Sequence, residues 1–170
     1  GALVTQTYTV NVSGADDAPT LGAVTTGTVA EDDQAATTTV TNLTGTLAGA
    51  DVDVEDLTYG INDSAGNAVT AAGGTVTLVG TYGTLTLNAT TGVYTYTENA
   101  AAIEALDATE TGIDSFTMTV TDGDGALVTQ TYTVNVSGAD DAPTLGAVTT
   151  GTVAEDDQAA TTTVTNLTGT

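Results

Sequence analysis

The stretch LVTQTYTVNVSGADDAPT occupies residues 3–20 and returns unchanged at residues 127–144. In its first eleven residues, mostly apolar side chains alternate with mostly polar ones. This alternation predicts a β-strand over residues 3–13 and again over residues 127–137. The segment GADDAP that follows predicts a short polar linker, because proline fixes an extended backbone. The stretch therefore predicts the end of one β-domain and the junction to the next.

The repetition extends beyond this stretch, because residues 1–46 recur without a change as residues 125–170, a period of 124 residues. Solenoid units are about 20–50 residues long, so this period fits one whole domain per repeat. We predict that residues 1–15 are the last strand of a preceding repeat, that 16–139 form one complete repeat, and that 140–170 are the opening strands of the following one. An artificial concatemer is the alternative explanation.

The composition is strongly acidic: the 170 residues include 22 Asp and Glu but no Lys, Arg, His or Cys, giving a net charge of −22. Without cations we expect no nucleic-acid partner and no direct membrane contact. Zinc and iron sites lack their usual ligands, and nucleophilic catalysis lacks a His or Lys base. Disorder is the first alternative, but an apolar content of 40% and only two prolines favour a folded chain.

Short strands separated by turns fill the complete repeat, as in a β-sandwich. The predicted strands cover residues 24–30, 37–43, 57–61, 75–79, 84–87, 93–97, 115–121 and 128–136. A helix of about two turns is predicted over residues 99–106, with Asn99 as its cap. The predicted fold class is therefore all-β, an immunoglobulin-like Greek-key β-sandwich in tandem repeats.

The carboxylates fall in clusters, at Asp16 and Asp17, at 31–33, at 51–56 and at 122–124. The clustered like charges repel one another, and the chain has no cation of its own to offset them. Calcium suits such clusters because it takes about 6–8 oxygen ligands from carboxylates and carbonyls. Three isolated acids are instead expected to be solvated loop carboxylates: Asp63, Glu104 and Asp114.

Several of these motifs resemble those of cadherin domains. In the second half of the repeat they are Leu106-Asp-Ala-Thr-Glu110, the Asp122-Gly-Asp124 turn, the strand that follows it, and Asp140-Asp-Ala-Pro143. In the first half, Val29-Ala-Glu31 resembles the Pro-Glu site, and Asp51-Val-Asp53 resembles the DxD motif. The hairpin over residues 82–96 is similar to the bacterial repeats called VCBS, which occur in giant RTX-type adhesins. The resemblance covers nearly the whole repeat and implies a cadherin-like sandwich.

The resemblance also implies two groups of calcium ligands, one at each end of the repeat. The lower group would comprise Glu31, Asp107, Glu110, Asp140 and Asp141. The upper group would comprise Asp16, Asp17, Asp51, Asp53, Asp122 and Asp124. The linker reads Ala-Asp-Asp-Ala-Pro rather than the cadherin Asp-x-Asn-Asp-Asn-Ala-Pro, so at least one ligand is missing.

The function implied is that of a structural extender in a long adhesin at the bacterial cell surface, with neighbouring repeats as partners and calcium stiffening each junction. The alternative is a module that binds ice or a glycan through Thr-x-Thr pairs such as Thr84/Thr86 and Thr95/Thr97. Paired acids are also found in glycosidases, but the repeat is too short to build a cleft, so we expect no enzyme. We also expect residues 1–15 and 140–170 of different chains to pair into a fibre.

Overall fold

The computed structural model describes residues 1–32, 35–155 and 162–165. Its strands are β1 (Thr20–Leu21), β2 (Gly27–Asp32), β3 (Ala35–Thr41), β4 (Thr44–Thr46), β5 (Gly49–Ala50), β6 (Thr58–Asn62), β7 (Thr75–Val79), β8 (Gly83–Asn88), β9 (Val93–Glu98), β10 (Thr111–Thr121), β11 (Leu127–Ser137), β12 (Thr152–Glu155) and β13 (Thr162–Thr165). One short helix, α1 (Ala100–Ile103), follows β9.

Two sheets pack face to face and form a sandwich, which confirms the predicted fold class. One sheet has five strands in the order β3-β2-β11-β10-β6, and the other has four in the order β4-β9-β8-β7. Strand β11 is antiparallel to β10 along its whole length and parallel to β2 near its end. Strand β11 is therefore the central strand of the larger sheet, with β2 and β10 as its neighbours.

The core forms where alternate residues of the two sheets point inward. Tyr132 of β11 lies with its ring centroid 5.1 Å from that of Tyr94 and 6.5 Å from that of Phe116. Its hydroxyl donates a hydrogen bond of 2.8 Å to the carbonyl oxygen of Asn42. Burial raises the pKa of Tyr132 to about 12. Tyr132 therefore joins the two sheets through its ring, and its hydroxyl ties β11 to the connection between β3 and β4.

All eight strands predicted within the complete repeat are present, although their ends differ by a few residues. Strand β10 begins four residues earlier than predicted, at Thr111. Three strands of two or three residues, β1, β4 and β5, were missed because so short a segment shows no periodicity.

The predicted helix is wrong in its length and in its cap. Helix α1 has only four residues, and Asn99 makes no side-chain capping hydrogen bond. The helix is held instead by Ile103, which is buried in the core, and by the Asn99 amide, which donates to the Tyr82 carbonyl oxygen at 2.7 Å. No helix in the described ranges is long and apolar enough to cross a membrane.

Residues 1–19 contain no strand in this structure, so the segment 3–13, predicted to be the last strand of a preceding repeat, is not paired here, and its place in such a repeat stays a prediction. A strand needs a neighbour to receive its hydrogen bonds, and no other described strand pairs with this segment. By contrast, β12 and β13 pair with each other. The rest of the predicted opening strands, at residues 156–161 and 166–170, lies outside the described residues.

Candidate metal centres

The upper cluster is the group of carboxylates at the end of the sandwich where the linker of residues 14–19 joins it. It comprises Asp16, Asp51, Asp53, Glu55, Asp122 and Asp124, and Asp17 joins it through its backbone amide. The linker, the loop between β5 and β6, and the tight turn between β10 and β11 each contribute to it. Three segments that are distant in sequence therefore bring negative charge to one place.

Hydrogen bonds hold these three segments together. Carboxylate oxygens of Asp16, Glu55 and Asp124 lie within 4.8 Å of one another. Glu55 Oε2 accepts a hydrogen bond of 2.8 Å from the Gly123 amide, which joins the β5–β6 loop to the β10–β11 turn. The amide of Asp17 donates to Asp53 Oδ2 at 2.8 Å, which joins the linker to the same loop. The carboxylates are thus positioned by backbone contacts rather than by a cation of the chain.

Two oxygens of the upper cluster are buried and have no hydrogen-bond partner. Asp122 is only 7% exposed, and its Oδ1 accepts from the amides of Gly125 and Ala126 at 2.7 and 2.8 Å. Its Oδ2 is buried without a partner, and so is Oδ2 of Asp51. A buried anionic oxygen without a partner is costly, and a bound cation would satisfy it.

The electrostatic environment of Asp16 has the sign expected for a cation site. The pKa of Asp16 is raised above its ordinary 3.8. The largest cause is the loss of hydration, and the negative charges of Asp124 and three other upper-cluster carboxylates add to it. A positive ion at this place would have the opposite effect on the pKa, because it favours the ionised form.

The loop that carries Asp51 and Asp53 is strained at Val54, which has a φ of 60°. A β-branched residue in this left-handed region costs roughly 1–2 kcal/mol. The strain is offset by the flanking hydrogen bonds, in which Asp51 Oδ1 accepts from the Asp53 amide at 2.7 Å and Glu55 binds the neighbouring turn. The hydrogen bonds of this loop thus keep the carboxylates of Asp51 and Glu55 in the upper cluster.

The lower cluster lies at the opposite end of the sandwich and comprises Glu31, Glu104 and Asp141, whose carboxylate oxygens lie within 4.8 Å of one another. Glu31 occupies the last inward-facing position of β2 and is only 8% exposed. Its Oε2 accepts a hydrogen bond of 2.8 Å from the Ala139 amide, and its Oε1 is buried without a partner. The lower cluster therefore repeats the features of the upper one, including contact with a linker.

The other acids implied for the lower group lie outside this trio. Glu110 Oε2 accepts from the Asp107 amide at 3.1 Å, and Asp107 Oδ1 accepts from the Ala108 amide at 2.8 Å, so both stabilise their own turn. Asp140 is exposed and is not one of the three clustered acids.

Sequence reasoning left two clustered acids out of the site, Glu55 and Glu104. Glu55 had a signal, since it continues the alternation begun by Asp51 and Asp53. Glu104 had none, because it reaches the lower cluster only through the docking of α1. It was expected to be a solvated carboxylate, and although it is exposed it lies beside Glu31 and Asp141.

Asp114 was also expected to be solvated, and this expectation is wrong because Asp114 is buried. Its carboxylate accepts hydrogen bonds from the amides of Thr81 and Tyr82 at 2.8 and 3.0 Å and from the Tyr96 hydroxyl at 2.7 Å. Burial, together with this last bond, raises the pKa of Tyr96. The two amide contacts fix the β7–β8 turn against β10, and the Tyr96 hydroxyl joins β9 to β10, so Asp114 has a structural role.

The threonine pairs lie on the outer face of the four-stranded sheet, where Thr86 faces Thr95 and Thr84 faces Thr97 across β8 and β9. The hydroxyl of Thr86 donates to the Thr95 carbonyl oxygen at 3.1 Å. Threonine favours such half-exposed strand positions for its branched shape alone. The sandwich therefore explains the threonines without a ligand, and binding of ice or a glycan stays a hypothesis.

The described residues thus form a β-sandwich with an acidic cluster and a linker at each end. A family model described as the bacterial cadherin-like domain matches residues 16–138, and the chain belongs to this family. The match confirms the cadherin-like resemblance. None of the curated proteins matches the chain. Domains of this family are typically structural rather than enzymatic, typically extracellular, and commonly bind calcium.

Proposed function

We propose that the repeat is an extender module of a long RTX-type adhesin on the bacterial surface, and that calcium at each junction fixes the angle between neighbouring repeats. The observation that carries the proposal is the pair of buried carboxylate oxygens without partners, Asp122 Oδ2 in the upper cluster and Glu31 Oε1 in the lower one. Because the chain has no Lys, Arg or His, their counter-charge must come from outside the protein.

The donor sets fit a hard divalent cation. Calcium binds carboxylate and carbonyl oxygens, and the upper cluster offers carboxylates from three segments. Asp16, Glu55 and Asp124 would hold the ion, and Asp51 and Asp122 would contribute their unpartnered oxygens. When bound, calcium supplies the positive charge that lets these segments approach without repulsion.

The two copies of the linker indicate how one junction serves both of its neighbours. In the first copy, Asp16 joins the upper cluster of the repeat that follows it. In the second copy, Asp141 joins the lower cluster of the repeat that precedes it. Because the copies are identical, each junction between complete repeats would hold both aspartates, one directed to each side. Two adjacent residues would then tie the two clusters together.

This arrangement would make the stiffness of the chain depend on calcium. Without the ion, the carboxylates of linker and loops repel one another and the junction bends. With it, the linker is held to both repeats. Extracellular calcium modules typically bind at about 10⁻⁴–10⁻³ M, so such sites fill outside the cell. Each repeat would add about 35–45 Å, from an 11-residue strand at about 3.3 Å per residue and its linker.

Thermal unfolding with calcium and with chelator tests the proposal. At about 10 mM calcium, a site of this affinity should add about 1.4–2.7 kcal/mol of stability and raise Tm by roughly 4–10 °C. The Glu55→Gln and Asp124→Asn variants should lose most of this rise. Asp56→Asn is the matched control, since it removes one charge beside Glu55 but outside the three clustered acids. A Tm indifferent to calcium would refute the proposal, as would an equal loss in Asp56→Asn.

Small-angle scattering of two joined repeats tests the stiffening itself. Chelator should reduce the maximum dimension, and Asp51→Ala combined with Asp53→Ala should have the same effect in calcium while leaving each sandwich folded. A maximum dimension that is equal with calcium and with chelator would contradict the junction mechanism.

A further inference from the structure

We propose that the loop of residues 51–56 in one repeat packs its two exposed valines, Val52 and Val54, against the alanines of α1 in the repeat that precedes it. Because this contact joins neighbouring repeats, it rests on the proposed function, in which repeats are linked in series. It adds an apolar contact to the acidic clusters of the same junction. The partner of each surface is therefore a second copy of the same repeat.

The loop of residues 51–56 carries apolar side chains that its own repeat does not bury. Carboxylates and valines alternate along it, and Val52 is 77% exposed and Val54 is 89% exposed. Val54 also has a φ of 60°, a left-handed conformation that asparagine or glycine adopts at lower cost than a β-branched residue. Strain of this kind, held by an exposed side chain, favours a functional contact outside the repeat.

Helix α1 carries exposed alanines at the opposite end of the sandwich. Ile103 is fully buried and anchors the helix in the core. Ala101 and Ala105 are exposed. Ala101 lies three residues before Glu104, on the same face of the helix, and Ala105 directly follows Glu104. The small side chains leave a shallow surface beside the lower cluster, on which a larger side chain such as valine can pack.

The two copies of the linker bring the loop and the helix to the same residue. In the first copy, the amide of Asp17 donates a hydrogen bond of 2.8 Å to Asp53 Oδ2, and Asp53 stands between the two valines. In the second copy, a carboxylate oxygen of Asp141 lies within 4.8 Å of one of Glu104. Asp17 and Asp141 occupy the same position of the repeat. At a junction between complete repeats, one aspartate would therefore contact the loop through its amide and the helix through its carboxylate.

A single aspartate places the two surfaces close together. It spans only a few ångströms from its amide to its carboxylate, so Asp53 of one repeat and Glu104 of the preceding one would lie on the order of 10 Å apart. The valines flank Asp53 and the alanines flank Glu104. The apolar side chains of the two repeats are therefore within reach of one another.

Disulfide trapping in a chain of two complete repeats tests the contact, since the sequence has no cysteine. Val52→Cys in the second repeat is combined with Ala101→Cys or with Ala105→Cys in the first, and the chain is oxidised mildly in calcium. At least one combination should form an internal disulfide, identified by mass after digestion, because packed side chains can bring their Cα atoms within the required separation of about 4.4–6.8 Å.

Val79→Cys in the second repeat is the matched control for Val52→Cys. Val79 is 74% exposed, close to the value for Val52. It lies away from the junction, because the turn after β7 is held to Asp114 near the start of β10, toward the lower cluster of its own repeat. Val79→Cys should therefore form no disulfide with either alanine position.

Val54→Asn separates the contact from the folding of the repeat. Asparagine tolerates the left-handed backbone, so the melting temperature of the 170-residue chain should stay equal or rise. In the two-repeat chain the same substitution removes a valine from the contact. It should slow disulfide formation at Val52→Cys roughly tenfold, the factor that corresponds to burial of about one such side chain. Val79→Asn should leave the rate unchanged.

The outcomes distinguish this contact from the calcium mechanism. Absence of a disulfide at both alanine positions, or equal trapping of Val79→Cys, would overturn the contact even where chelator still reduces the maximum dimension. An unchanged rate of trapping in Val54→Asn would overturn it as well. A disulfide that forms in a chain whose maximum dimension ignores calcium would support the contact and contradict the calcium mechanism instead.

Discussion

Residues 3–13 and β11 have the same eleven residues and different structures. Tyr8 is 90% exposed, whereas its copy Tyr132 is fully buried, and Val12 is 90% exposed, whereas its copy Val136 is 2% exposed. The difference comes from the neighbours, since β11 lies between β2 and β10. The comparison teaches that an alternating pattern forms a strand only where neighbouring strands are present to pair with it.

The opening strands give a second form of the same comparison. Leu21 is buried, whereas its copy Leu145 is exposed. Yet β12 and β13 pair in the register of β2 and β3. A hairpin between nearby segments therefore forms from local sequence, while burial of its face requires the rest of the sandwich.

The largest expected difference between the copies is in amide hydrogen exchange. Amides of β11 should exchange only by global unfolding, which at a stability of about 5–15 kcal/mol slows exchange by roughly 10⁴-fold or more. Amides of residues 3–13 should exchange at nearly the rate of an unfolded chain. The measurement belongs at low protein concentration, where chains are separate. Similar protection of both copies would contradict the structure.

A matched pair of tyrosine substitutions tests the same contrast by stability. Tyr132→Ala should cost about 3–5 kcal/mol, because it removes a buried ring packed against Tyr94 and Phe116. Tyr8→Ala changes the identical local sequence and should stay within about 0.5 kcal/mol of the parent chain. Denaturant unfolding measures both, and comparable losses would show that residues 3–13 are packed after all.

A matched leucine pair should give a smaller difference. Leu21→Ala should destabilise the repeat by about 2–3 kcal/mol, since Leu21 is slightly exposed and lies at the edge of the core. Leu145→Ala should have no measurable effect on the denaturant midpoint. A clear effect of Leu145→Ala would mean that the second copy has found a core of its own.

The smallest expected effect is on how the stability of the metal-free protein depends on pH, and it comes from Asp16 in the first copy of the linker. Because the pKa of Asp16 is raised in the folded state, folding favours its protonated form. Its contribution to stability therefore increases as pH falls toward the ordinary value of 3.8 and is lost as pH rises above the raised pKa. Asp16→Asn should remove this dependence in melts with chelator. An NMR titration midpoint at or below 3.8 would show that the upper cluster does not act on Asp16.

Much of the fold followed from the sequence, because strand alternation and turn residues are local signals. The parts that did not follow depend on contacts between distant segments. Asp114 looks like an isolated acid, and only the packing of the β7–β8 turn against β10 buries it. Glu104 and Asp141 are far apart in sequence, and they meet beside Glu31 only because α1 and the outgoing linker reach the same end of the sandwich.

The sequence by itself determined the 124-residue repeat, the alternating strands and an acidic charge that no cation of the chain can neutralise. The tertiary structure alone decided which of two identical copies becomes a buried strand and which carboxylates share a cluster. The physical reason is the distance along the chain over which each property is set. Alternation and charge are properties of neighbouring residues, whereas burial and clustering require the fold to bring distant segments together.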